Sequence, residues 1–73
     1  MQREIAIRGE LIRLGQLLKL AGLIDAGGEA AAYLAGEPVL VNGEPEARRG
    51  RKLRPGDEVR AGGETLRIVA QAG

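Results

Sequence analysis

The sequence predicts an α+β domain in which two helices pack on one face of a small antiparallel sheet. Three observations predict it. Ile5 and Ile7 recur at a spacing of two within "REIAIR", while Leu14, Leu17, Leu18 and Ala21 fall at i, i+3, i+4 and i+7. The third is a pair of short turn signals, Asn42-Gly43 and Gly62-Gly63, each set between apolar runs. The first pattern belongs to a half-buried strand, the second to an amphipathic helix and the third to two-residue hairpins.

Taken in order, "REIAIR" from Arg3 to Arg8 is a strand with Glu4 and Arg8 opposite the isoleucines, and Gly9 ends it. A first helix runs from about Leu11 to Ala21, with Gly22 at its C-terminal cap. At 100° per residue, Gln16 and Lys19 point away from its apolar stripe and Arg13 lies at the stripe's edge. Asp25 is the expected N-cap of a second, shorter helix around Ala30 to Ala35, which Gly36 and Pro38 stop. "VLVNGEPEA" then reads as a hairpin with a type I′ turn at Asn42-Gly43. Pro55 and Gly56 suit the centre of a type II turn, and Gly62-Gly63 joins Glu58 to Arg60 with Thr65 to Val69. Helix stripes that cannot remain in water must cover the sheet, which gives the α+β arrangement.

At 73 residues the chain is read as a single domain, residues 1–73, with one thin core. It has no Cys and no His. That removes thiolate nucleophiles, imidazole bases, disulfides and thiolate or imidazole zinc sites, and with them most enzyme mechanisms. The apolar stretches are broken by Arg13, Lys19 or Asp25, and Met1 is followed by Gln2-Arg3-Glu4, so neither a signal peptide nor a membrane span is expected. The expectation is a cytoplasmic monomer without cofactor or metal. Acidic residues such as Glu29, Glu37, Glu44, Glu46, Asp57 and Glu58 are spread over turns and polar faces, where capping and solubility account for them.

One stretch stands apart. Of the seven residues Arg48 to Arg54, five are basic (Arg48, Arg49, Arg51, Lys52, Arg54) and none is acidic, in a chain whose net charge is +1. Such a run is ordinarily a solvated turn, but five like charges repel one another unless a polyanion answers them. Clustered Lys and Arg on one face are the electrostatic footprint of nucleic-acid binding. Five phosphate contacts would give a salt slope of about −3.5 to −4.5, so affinity would fall roughly 100-fold or somewhat more between about 50 and 200 mM salt. Tyr33 is the sole aromatic residue and is expected to be in the core or half-buried, so single strands would find little to stack on. Folded RNA, recognised by shape and phosphate contact, fits better.

The segment Ile12 to Val59 resembles the RNA-binding domain named after ribosomal protein S-four, the αL motif, particularly its small stand-alone bacterial members. The resemblance rests on Arg13-Leu14, "LKLAGL" at Leu18 to Leu23, "GEA" at Gly28 to Ala30, "VLVNGE" at Val39 to Glu44 and "PGDEV" at Pro55 to Val59. It implies that two helices and a hairpin form a platform for structured RNA, often ribosomal or transfer RNA. It marks Arg13 and Lys19, the Asn42-Gly43 turn, and Arg48, Arg49, Arg51, Lys52 and Arg54 as RNA-binding. Many members have Asp after "RL", where this chain has Gly15, and open the second helix with Ser-Arg, where it has Ala26-Gly27. Binding is therefore expected to lean on the basic loop.

The function expected is a non-enzymatic RNA-binding protein. Two alternatives belong to other classes. A β-grasp-like sulfur or protein carrier is prompted by "VNGE" and the terminal Gly73, although such carriers end in Gly-Gly and this chain ends Gln71-Ala72-Gly73. A basic module that docks an acidic protein is the other, and competition with RNA would reveal it.

Overall fold

A computed structural model of the chain describes residues 2–71. Strand β1 (Gln2–Ile7) leads through a glycine turn to the short β2 (Ile12–Arg13) and directly into helix α1 (Leu14–Leu20). A 3-10 turn (Gly27–Glu29) precedes helix α2 (Ala30–Gly36). Then come β3 (Leu40–Val41), β4 (Glu44–Pro45), β5 (Lys52–Leu53), β6 (Glu58–Ala61) and β7 (Glu64–Ala70).

The α+β class stands, with one difference in the sheet. Five strands lie in the order β1-β7-β6-β3-β4, and their pairings are antiparallel except that β1 runs parallel to β7. The sheet is therefore mixed. Hairpins announce themselves by their turns, whereas β1 and β7 are joined only through the whole intervening chain, so no local signal sets their direction. Arg3 secures this pairing from the side: its Nη2 donates to the Ala21 carbonyl at 2.7 Å, and its Nε lies 2.9 Å from Glu64 Oε1.

The helix stripe is found as expected, with Leu14, Leu17 and Leu18 fully buried and Ala21 nearly so. They meet Val59, Leu66 and Ile68 of the sheet and Leu53 of β5, all without exposed surface. Each such residue contributes about 1.5–3 kcal/mol of hydrophobic stabilisation relative to an exposed one. Tyr33 packs half-buried against this core, and desolvation, with Glu37 and Glu64 nearby, raises its phenol pKa. Among the described residues no helix is long and apolar enough to cross a membrane.

Two boundaries differ from the sequence reading. Ile12 and Arg13 are strand, because they pair with Leu53 and Lys52 in a separate two-stranded sheet; the helix starts after them. Asp25 does not cap the second helix with its side chain. Glu29 reaches back instead, its Oε1 accepting from the Asp25 and Ala26 N–H groups at 3.0 and 3.1 Å. A longer side chain placed one turn inside can satisfy two backbone donors at once, which is the reciprocal half of a capping box.

Candidate nucleic-acid interface

The basic segment is a docked loop. It leaves the β3–β4 hairpin, whose turn has Asn42 at φ 51° and Gly43 at φ 85°, the left-handed conformations of a type I′ turn. The Glu46 N–H donates to the Val39 carbonyl at 2.9 Å, and Lys52–Leu53 then pairs with Ile12–Arg13. Between these anchors, the Leu14 N–H donates to the Arg51 carbonyl and the Gly15 N–H to the Arg49 carbonyl, both at 2.9 Å. The first N–H groups of a helix have no partner within it, and here the loop's carbonyls supply two.

Gly15 stands where the loop, α1 and α2 meet. A Cβ there would lie 3.2 Å from the Ala30 Cβ and 3.5 Å from both the Cβ and the carbonyl oxygen of Arg49. A side chain here would press on Ala30 of α2 by a few tenths of an ångström, whereas its distance to Arg49 of the loop is ordinary van der Waals contact.

Within the loop the positive charges are partly answered from inside the protein. Glu46 Oε2 accepts from Arg48 Nε and from the Ala47 and Arg48 backbone N–H groups, all at 3.1 Å. Its Oε1 accepts from Arg48 Nη2 at 3.2 Å and Arg51 Nη1 at 2.9 Å. These donors, Arg48 first, hold the Glu46 carboxyl at about 2, well below its ordinary 4.5. Five cations and one anion still leave the segment from Glu46 to Arg54 with a net charge of +4.

The profile of the S4 domain family matches residues 5–69. The chain belongs to the S4 domain family. It is 54% identical over 59 residues to a Bacillus subtilis (strain 168) protein named "Probable ribosome maturation protein RlbA", a match spanning 81% of this chain and 83% of that one. The resemblance drawn from "LKLAGL", "VLVNGE" and "PGDEV" is thereby established, and at the family level this is an RNA-binding domain.

In this S4 domain the predicted residues fall into two groups. Arg13, Lys19 and Arg49 line a shallow groove of about 330 Å³ together with Gln16, Gly15 and Gly50. Arg48, Arg51 and Lys52 line an adjoining recess, and Gly50 is common to both. Six of the predicted cations therefore belong to one surface. Arg13 and Lys52 are also directly opposite in the β2–β5 pairing, an arrangement of like charges that costs stability when nothing neutralises it.

Arg54 and the Asn42-Gly43 turn line neither of these recesses. Arg54 opens the Pro55-Gly56 turn, where Gly56 has φ 99° as a type II turn requires, and its backbone N–H donates to Asp57 Oδ2 at 2.8 Å. The Asn42 amide is engaged by the protein itself, Nδ2 donating to Asp57 Oδ1 at 3.1 Å and Oδ1 accepting from the Glu58 N–H at 3.0 Å. That bond ties the hairpin to the start of β6. Sequence reasoning took Gly15 only as a departure from Asp and Glu46 only as one acid among several, and did not foresee their contacts with the loop. The available signals were an acid two residues before the basic run and a glycine inside an otherwise strong helix pattern.

Proposed function

We propose that this S4 domain is a non-enzymatic RNA-binding module that acts in the cytoplasm on structured ribosomal or transfer RNA. It works as one domain over residues 1–73, as a monomer and without a cofactor. Arg13, Lys19, Arg48, Arg49, Arg51 and Lys52 contact backbone phosphates, and Arg54 and the Asn42-Gly43 turn extend the footprint along the hairpin. The observation that carries this reading is the docking of the loop on the start of α1, which merges two separate stretches of sequence into one cationic surface. The family match supports RNA as the polyanion, and the name of the Bacillus subtilis relative supports a ribosomal setting. For the carrier alternative, Ala72 and Gly73 lie outside the described residues, and membership of the S4 family favours RNA.

The test is binding to a labelled RNA stem-loop as salt is varied. Six phosphate contacts predict a slope of about −4 to −5.5. Reversing Arg49→Glu together with Lys52→Glu, side chains with no ion pair among the described residues, weakens binding to unrelated stem-loops alike and flattens the slope by about 2. Unchanged affinity in the double variant at low salt would sink the reading.

A further inference from the structure

An acid within a phosphate-binding loop is an electrostatic contradiction, because its charge repels the ligand that its neighbours attract. Glu46 is nevertheless built into the loop more firmly than the cations around it. Its side chain is 8% exposed, against 77% for Arg48 and 37% for Arg51. Its backbone is fastened to the sheet through Val39, and both carboxylate oxygens are filled by the loop. It therefore connects a rigid hairpin to two arginine side chains.

The contacts leave those arginines able to bind. A guanidinium has five N–H donors in a planar fork. Arg48 spends two of them on Glu46, from Nε and Nη2, which are the same edge of the fork; Arg51 spends one, from Nη1. Three donors on Arg48 and four on Arg51 remain for a phosphate. For Arg48, holding one edge fixes the plane and direction of the other, since a two-point contact between guanidinium and carboxylate sets geometry as well as charge, while Arg51 is tethered at a single nitrogen. A loose arginine must be ordered when RNA binds, and that cost reduces affinity; one already ordered avoids it.

From this geometry we infer that Glu46 is a positioning residue for RNA binding, holding Arg48 and Arg51 in their binding pose before RNA arrives. The inference rests on the RNA-binding reading above and adds that an acid raises the affinity of this basic surface for a polyanion. Charge alone predicts the opposite sign. A role confined to stability predicts no change in affinity between folded proteins.

The deciding experiment compares the parent with Glu46→Gln, both verified as folded by circular dichroism, for binding a fluorescently labelled RNA stem-loop at one salt concentration. Freeing two arginines weakens binding by about tenfold. The loss lies in faster dissociation, with association unchanged or faster because the variant surface is more positive. Equal or tighter binding by Glu46→Gln overturns the inference while leaving the RNA-binding reading intact. A parent that binds no RNA overturns that reading itself. Nuclear magnetic resonance of the RNA-free parent supplies a test that needs no variant: the Arg48 Nε–H is motionally restricted relative to that of Arg49. Equal mobility of the two overturns the inference even if Glu46→Gln fails to fold.

Discussion

Two charged surfaces of this S4 domain handle charge in opposite ways. On the sheet face turned away from the core, Glu4, Arg67 and Glu58 stand in register on neighbouring strands, and Arg67 Nη2 lies 3.3 Å from Glu58 Oε2. With Arg60 one row away, these side chains sum to zero charge. In the docked loop, five cations share the single anion Glu46. The sheet cancels its field locally and the loop accumulates one. The remainder of the chain outside Arg48 to Arg54 carries six basic and ten acidic residues, a net −4, so near-neutrality overall conceals a segregation. Net charge is silent about binding; the placement of charge is what matters.

The comparison can be broken most severely at the loop's anchor. Leu53 is fully buried and sits at the loop's exit on β5, so Leu53→Ala should cost about 2–5 kcal/mol. Thermal unfolding should show it as a fall of about 4–8 °C per kcal/mol in so small a domain. An unchanged melting temperature would mean the loop is not tied to the core as described.

A milder perturbation separates the two faces. Arg60→Glu with Arg67→Glu changes the net charge as much as the loop reversal does, yet it alters a surface without accumulated positive charge. RNA affinity should stay within about threefold of the parent, since the charges lie outside the proposed binding surface and salt screens them over roughly 10 Å. A loss matching that of Arg49→Glu with Lys52→Glu would erase the distinction between loop and sheet.

The smallest effect concerns pH. Because Glu46 has a folded-state pKa of about 2, below its ordinary 4.5, the stability it contributes is present above about 4.5 and is lost as pH falls toward 2. Melting temperatures measured across that window should decline in the parent, and Glu46→Gln should show a shallower decline. Parallel profiles for the two proteins would show that Glu46 is not held as the loop geometry requires.

The legible parts of this molecule are those written in short spacings. Leu14, Leu17, Leu18 and Ala21 are one helical stripe wherever the helix goes, and Asn42-Gly43 can hardly be other than a tight turn. The same holds for Gly62-Gly63 between β6 and β7. Illegible parts depend on distant partners. Ile12 and Arg13 fit a helix pattern until Leu53 and Lys52 arrive to pair with them. Asp25 looks like a cap in isolation, but the side chain that binds backbone N–H groups at this helix start is that of Glu29, reaching back to Asp25 and Ala26. Glu46 reads as one acid among several until the loop folds both arginines around it.

By itself the sequence determined the helices, the hairpins, the S4 resemblance and the concentration of cations between Arg48 and Arg54, because helical and turn preferences and charge density act over a few residues. Only the tertiary structure decided that Arg13 and Lys19 share a groove with Arg49, that β1 joins the sheet in parallel, and that Glu46 accepts from both Arg48 and Arg51. The physical reason is that hydrogen bonds such as Gly15 to Arg49 close long loops of chain. Their geometry is fixed by what else must pack around them, and no window of adjacent residues contains that information.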